Sequence, residues 1–345
     1  MPVNRGGNMG ITAKELAGML GISPAAVSMA LNNRPGVSEI TREEVLKAAR
    51  EHGYDFRRIR RKMSDRGRIA FVIYKKHGAV VGDTQFFSAL TEGITRACNE
   101  RGYSLDIRYI TQTDHTRQEL MKLQDAGTDG ILLLGTEMHE PDFRPFEHFP
   151  LPLVVLDTYY DSVDMNFVLI NNIQGAYLAT DYLIRERGAQ PGYLHSAYGI
   201  ANFNERQDGF YKAVREHGYS ASGTVVHHLA PMTEGAYQDM KAALKRGDRL
   251  ASCYFADNDL IAAGAMKAFR EAGLRIPQDV AVIGVDNTSL CEMLDPPLTT
   301  VNVPKQALGR TAVLRLQELM SAQTGAVRES TKTALSTSLV RRASV

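Results

Sequence analysis

Residues 11–54 read ITAKELAGMLGISPAAVSMALNNRPGVSEITREEVLKAAREHGY, and their spacing decides the fold of the N-terminal region. Ile11, Leu16, Met19 and Leu20 fall on one face of a 3.6-residue period while Lys14 and Glu15 fall on the other, which predicts an amphipathic helix ended by Gly21. Ser23 as N-cap and Pro24 as first helical residue open a second helix through Asn32, with Val27, Ala30 and Leu31 pointing inward. A gap of about three residues between the two helices is the sharp turn of a helix-turn-helix. Asn32-Asn33-Arg34-Pro35-Gly36 is turn chemistry, after which Ser38 or Thr41 caps a third helix built on Val45, Leu46 and Ala49. By pattern alone a purely structural three-helix subdomain fits as well.

The next stretch, RRIRRKMSDRGR at 57–68, favours nucleic acid: seven Arg or Lys stand against one Asp, directly after the helix-turn-helix. Such a segment has the charge needed to neutralise phosphates. Ile59 and Met63 are four apart, so a helix here would carry one apolar edge able to wedge between base steps in the minor groove. Charge counts agree. Residues 1–66 hold 12 basic and 7 acidic side chains, net +5, and the remainder holds 28 and 32, net −4. A basic head on a mildly acidic body suits a head that meets a polyanion.

At 345 residues, 44% of them hydrophobic and 23% charged, the chain fits a small module plus a larger two-part globular domain. Cys98, Cys253 and Cys291 are odd in number and widely spaced, which points to idle thiols rather than a disulfide framework or zinc site. The N-terminus lacks the apolar core of a secretory signal and no apolar run reaches the ~18 residues of a membrane span. A cytoplasmic protein, at the nucleoid and with no membrane partner, is expected.

From Arg68 onward, short β-rich runs alternate with helices. RIAFVIY, SLDIRYI, GILLLG and LVVLD are separated by helices starting near Phe86 and Thr116, and GYLHS, TVVHH, SCYFA and VAVIGV by helices near 172–187, 204–217, 233–246 and 258–272. That is the rhythm of parallel sheets covered on both faces, repeated. The expected fold class is therefore α/β: a small all-α helix-turn-helix head plus two doubly wound parallel-sheet lobes, as in periplasmic-type binding proteins. Small molecules bind such sheets at the carboxyl ends of their strands. No GxGxxG or P-loop follows a strand, so no cofactor is expected.

The segment quoted first resembles the head of the lactose-repressor (LacI) family of bacterial regulators. The similarity extends more weakly through GAYLATDYLI (175–184), NERQDGF (204–210), FADNDLIAAGAMKAF (255–269), IPQDVAVIGVDNTSL (276–290) and LTTVNVPKQALG (298–309). By position, the resemblance makes Thr12, Ser23, Pro24, Ser28, Asn32, Thr41, Tyr54 and Arg57 phosphate-contacting or packing residues of a DNA-binding head. Ala25 and Met29 would face base edges, and Met63 and Arg60 the minor groove. Met29 stands where many members hold a polar residue, favouring apolar contact with a thymine methyl. Arg60 replaces a usual small residue and suits a narrow minor groove. In the body, Asp157, Arg206, Asn258 and Asp286 fall at effector-binding positions, with Phe86 and Phe87 as ring-stacking candidates. Independently, both aspartates end apolar strands, Arg206 opens a helix, and a guanidinium with carboxylates and an amide can saturate a polyol. Asn258 can equally cap the following helix. The chain lacks Trp, reads LAPMTEG where an aromatic is frequent, and has Asn171 and Asn302 in place of common aspartates.

The expected organisation is a DNA-binding head at 9–56, a hinge at 57–67 and an effector-binding and dimerisation domain at 68–345. Within that domain the N-lobe takes about 68–170 and 303–330, and the C-lobe about 171–302 and 331–345. A homodimer would present two heads to a pseudo-palindromic double-stranded operator, with a small-molecule effector in the cleft shifting DNA affinity. The C-terminal LSTSLVRRASV carries no leucine heptad for a tetramer. A sugar or sugar derivative is the expected effector, with a nucleobase or other metabolite as the alternative. A transporter's solute-binding protein is disfavoured by the basic head. An enzyme is disfavoured because no nucleophile–base pair or metal-ligand spacing is visible.

Overall fold

The structure, a computed structural model, describes residues 11–31, 35–52, 54, 66–76, 78–82, 85–112, 115–321 and 329–345. The chain divides near Gly67 into two compact units. In the head, α1 (Ala13–Leu20), α2 (Pro24–Leu31) and α3 (Glu39–Glu51) form around Leu16, Ala17, Val27, Ala30, Leu31, Val45, Ala48 and Ala49. Thr12 and Glu15 make a reciprocal capping box, and Gly21 closes α1 at φ 66 with its N–H on the Ala17 carbonyl. Ser38, rather than Thr41, caps α3 by accepting the Thr41 N–H at 3.1 Å. Met19, expected inward, is 54% exposed. The buried stripe of α1 is centred on Leu16, Ala17 and Leu20, which turns Met19 toward water.

In the body each lobe repeats one topology. β1 (Arg68–Lys75), β2 (Ser104–Thr111), β3 (Gly130–Leu134), β4 (Leu153–Leu156) and β5 (Asn166–Ile170) join β11 (Lys332–Leu335) in the order β11-β5-β4-β3-β1-β2. β6 (Gly192–Ser196), β7 (Val226–Leu229), β8 (Cys253–Ala256), β9 (Ala281–Asp286) and β10 (Thr299–Asn302) join β12 (Ser338–Val340) in the order β12-β10-β9-β8-β6-β7. β3 and β4 are buried along their whole length, as strands covered on both faces must be. The N-lobe helices are α4 (Gln85–Arg101), α5 (Thr116–Asp125) and α11 (Lys305–Ser321), and the C-lobe helices α6 (Asn172–Arg187), α7 (Ala201–Glu216), α8 (Thr233–Arg246), α9 (Asp259–Glu271) and the short α10 (Leu290–Met293).

The chain changes lobes after Ile170, again between Asn302 and Lys305, and finally between Leu335 and Ser338. The last change corrects the expectation that 331–345 belong wholly to the C-lobe. Lys332–Leu335 pairs in parallel with β5 in the N-lobe, and only Ser338–Val340 crosses, antiparallel to β10. Four-residue strands of alternating burial carry too little apolar signal to assign from sequence. In each sheet the order reverses beside the first strand, so the open crevices of both lobes lie at the strands' carboxyl ends.

Candidate functional site

All six residues expected to hold an effector line one cleft at those strand ends, which has about 520 Å³ of unoccupied space, mouth included. Asp157 follows β4 directly and Asp286 is the last residue of β9. Both adopt positive φ, 60° and 119°, a region that non-glycine residues enter only under constraint and that clusters at ligand sites. The Asp157 side chain accepts the Thr136 hydroxyl on Oδ2 at 2.7 Å, and its Oδ1 is buried without a hydrogen bond among the described residues. Burial pushes this carboxyl up to about 6, against the opposing pull of the Thr136 hydroxyl, the Arg206 charge and the Asn202 side chain across the cleft. Burial pushes Asp286 further, to about 7, with Arg206 drawing it down and Asp259 driving it up.

Arg206 lies in the second turn of α7 instead of opening it, because α7 begins at Ala201. The residue is 4% exposed. Nε donates to Asn172 Oδ1 at 2.9 Å and Nη1 to the Asp257 carbonyl, while Nη2 stands 3.8 Å from Asp286 Oδ1. That last distance is looser than a paired carboxylate's ~2.8 Å, which leaves this side of the guanidinium free to serve a ligand. Asn172, at the start of α6 just past the first crossover, also donates to Glu205 Oε2 at 2.8 Å. Gly209 lets α7 approach that turn, since a Cβ there would lie 2.2 Å from the Ile173 carbonyl oxygen. Asp257 is fully buried and accepts the Tyr193 hydroxyl, His195 Nδ1 at 2.7 Å and the Ser196 N–H at 2.7 Å. Its main chain is thereby fixed under Arg206.

Asn258 plays two parts. Its Oδ1 caps α9 by accepting the Ile261 N–H at 2.8 Å, so its amide nitrogen is what it can offer to the cleft. Phe86 is buried and Phe87 half-buried, their rings edge-to-face at 5.0 Å. Pro231 supplies the wall where the sequence lacks an aromatic. Asn171 caps α6, and Asn302 accepts the Asn287 amide at 3.1 Å. Bridges also run from lobe to lobe: Gln85 exchanges hydrogen bonds with Ser289 at 2.5 and 2.8 Å, and His139 Nε2 lies 3.2 Å from the Gly199 carbonyl oxygen. Lys305, first residue of α11, sends its ammonium to the Asp286 carbonyl.

On the head, Ser23, Pro24, Ala25 and Ser28 form the exposed face of α2. The hydroxyls of Thr12, Ser23 and Thr41 already serve helix ends, through Glu15, the Ala26 N–H and Ser38. Met29 is half-buried, with its sulfur against Gly36 (φ 119), where a Cβ would come within 2.8 Å. Tyr54 packs on the three-helix core. Asn32, Arg57, Arg60 and Met63, with Ile59, lie outside the described residues.

A helical head and a two-lobed cleft on one chain have matches in known proteins. Residues 12–55 match the model of bacterial regulatory proteins of the lacI family, and residues 180–345 a periplasmic binding protein-like domain. The ribose operon repressor of Escherichia coli K12 is 30% identical over 313 residues, 88% of this chain and 91% of that protein. The chain belongs to the LacI family.

This LacI-family chain is a DNA-binding transcriptional regulator with a small-molecule effector domain. The HTH-type transcriptional repressor PurR of Aliivibrio salmonicida is 28% identical over 312 residues, 89% of this chain and 91% of that protein. The fold of this chain matches a transcriptional regulator CelR–cellobiose complex at TM-score 0.71 and 25% identity, covering 97% and 100% of the two chains. A LacI-family regulator from Enterococcus faecium with bound ribose matches at 0.67 and 25%, covering 80% and 98%.

Sequence reasoning missed several parts of the regulator's cleft. Thr136, Asn202, Phe203 and Thr288 also line it, and Asn172 and Asp257 position Arg206. Thr136 was open to the strand-end argument that supports Asp157, since it stands two residues past β3. Asn172 and Asp257 carry no such signal, because their role exists only once α6, α7 and β8 meet. Among the described residues no group of three or more His, Cys, Asp or Glu is placed to hold a metal ion, and no helix is long and apolar enough to cross a membrane. The three cysteines are buried and unbridged.

Proposed function

We propose that the cleft takes a sugar or sugar derivative, held by Arg206, Asp157, Asn258 and Asp286 with Phe86 and Phe87 against its apolar face. The observation that carries this reading is the convergence of a guanidinium, an amide and two carboxylates, one with an unsatisfied oxygen, beside aromatic rings. Hydroxyl-rich ligands both donate and accept, so they satisfy carboxylates and guanidinium together while their C–H faces lie on rings. The ribose and cellobiose in the names of similar proteins support the same chemistry. Two copies of the chain would bring two heads to a pseudo-palindromic operator as a cytoplasmic, nucleoid-associated repressor without catalytic activity. Ser23, Pro24, Ala25, Ser28, Met29, Thr12, Thr41 and Tyr54 would form the described part of the DNA-facing head.

A thermal-shift screen of the full chain against D-ribose, cellobiose, sugar phosphates and nucleobases tests the effector, because a ligand of the folded state raises Tm. A sugar is expected to do so and to change operator affinity in a fluorescence-anisotropy titration. Stabilisation by a nucleobase and by no sugar would replace the reading with the nucleobase alternative. Removal of residues 1–66 is expected to abolish operator binding and to keep the ligand-induced rise in Tm.

A further inference from the structure

Glu137 does not line the cleft, yet it is fully buried one residue after Thr136. Both carboxylate oxygens are aimed back at the segment after β1. Oε2 accepts the backbone N–H of Lys76 and of Gly78, each at 2.9 Å, and Oε1 accepts those of Val80 and Val81, each at 2.8 Å. Those donors fold 78–82 into a tight turn, with the Gly82 N–H on the Val80 carbonyl at 3.1 Å, and set Val80 in the cleft wall beside Phe86 and Phe87. Lys76 closes the assembly through Asp142 at 2.6 Å, and Asp142 accepts the His139 N–H at 2.8 Å, next to the bridge to Gly199.

A buried carboxylate costs several kcal/mol unless it is fully hydrogen-bonded, and an apolar residue here would fill the space without that cost. What the carboxylate provides is a fixed path for backbone that would otherwise bury unpaired N–H groups beside the ligand. We propose that Glu137 is a positioning residue of the effector cleft, its carboxylate folding the 78–82 loop and thereby fixing the wall at Val80. The inference rests on the effector reading of this cleft and adds to it a residue that touches no ligand.

Two measurements on the full chain test it, with D-ribose as the probe. In Glu137→Gln the amide nitrogen faces backbone donors, so two acceptor bonds are lost at nearly constant shape. Hydrogen exchange at the Gly78, Val80 and Val81 amides, measured without ligand, is expected to become about tenfold faster or more. D-ribose affinity is expected to fall about tenfold. Val80→Ala is expected to weaken D-ribose binding in the parent protein and to add little in the Glu137→Gln background, because both changes act on one wall. A residue acting only on global stability would give additive losses. Unchanged exchange at the three amides, unchanged D-ribose affinity in Glu137→Gln, or additivity with Val80→Ala overturns the proposal. If the parent protein does not bind D-ribose, the choice of sugar has failed, and the exchange measurement alone decides the role of Glu137.

Discussion

The two walls of the cleft are built differently. The C-lobe contributes Arg206, Asn202, Asn258, Asp286 and Thr288, set among Ile200, Phe203, Pro231 and Leu260, and its guanidinium is fixed in advance by Asn172 and the Asp257 main chain. The N-lobe contributes Val80, Phe86, Phe87 and Thr136 with a single carboxylate, Asp157, that keeps one oxygen unsatisfied. One wall concentrates the polar groups around a guanidinium already held in place, and the other offers mainly apolar cover with one open acceptor. A ligand engaging the C-lobe first would find its partners oriented, and closure of the N-lobe would then bury its apolar face and satisfy Asp157.

The strongest way to break this contrast is Arg206→Ala, which removes the grip and the stronger of the two cations, Arg206 and Lys305, that act on Asp286. Effector affinity is expected to fall on the order of 100-fold, about 3 kcal/mol, in a calorimetric titration. A loss of only a few-fold would mean that the N-lobe wall carries the binding.

Next in size is pH. Asp157 and Asp286, pushed up to about 6 and about 7, take protons as pH falls through that range and lose acceptors for ligand hydroxyls. Effector affinity is expected to drop about tenfold between pH 8 and pH 5.5 as the coupled carboxyls titrate. Stability runs the other way. A carboxyl raised in the folded state binds protons more readily there than in the unfolded chain, so the ligand-free protein gains stability as pH falls from about 7 toward about 4. Parallel pH slopes for affinity and ligand-free Tm would contradict the assignment of these two groups.

The smallest effect concerns the bridge between the walls. Gln85→Ala removes the paired contacts with Ser289. A solvent-exposed pair of this kind contributes about 0.5–1.5 kcal/mol, so a change of about three- to tenfold in effector affinity is expected, read by the same titration.

The head was the more legible half of the molecule. Its caps at Thr12, Ser23 and Gly21 act within four residues of chain, and local spacing determines them. The misplaced Met19 shows the limit, since a period fixes a stripe but not the edge that the partner helices cover. In the body, strand ends supported the placing of Asp157 and Asp286 that the resemblance implied, whereas the lobe of Lys332–Leu335 depended on pairing with a distant strand.

By itself the sequence determined the two-part organisation and the alternation that builds two α/β lobes, because periodicity and caps are local, while the family resemblance it carries pointed to six side chains that share one cleft. Tertiary structure alone decided which of those side chains are held and by what. The guanidinium of Arg206 is aimed by Asn172 and Asp257, 34 and 51 residues away, and the wall at Val80 is folded by Glu137, 57 residues away. Hydrogen bonds of that span form only after the chain has packed, when burial makes every unpaired donor costly and so selects the partner that meets it.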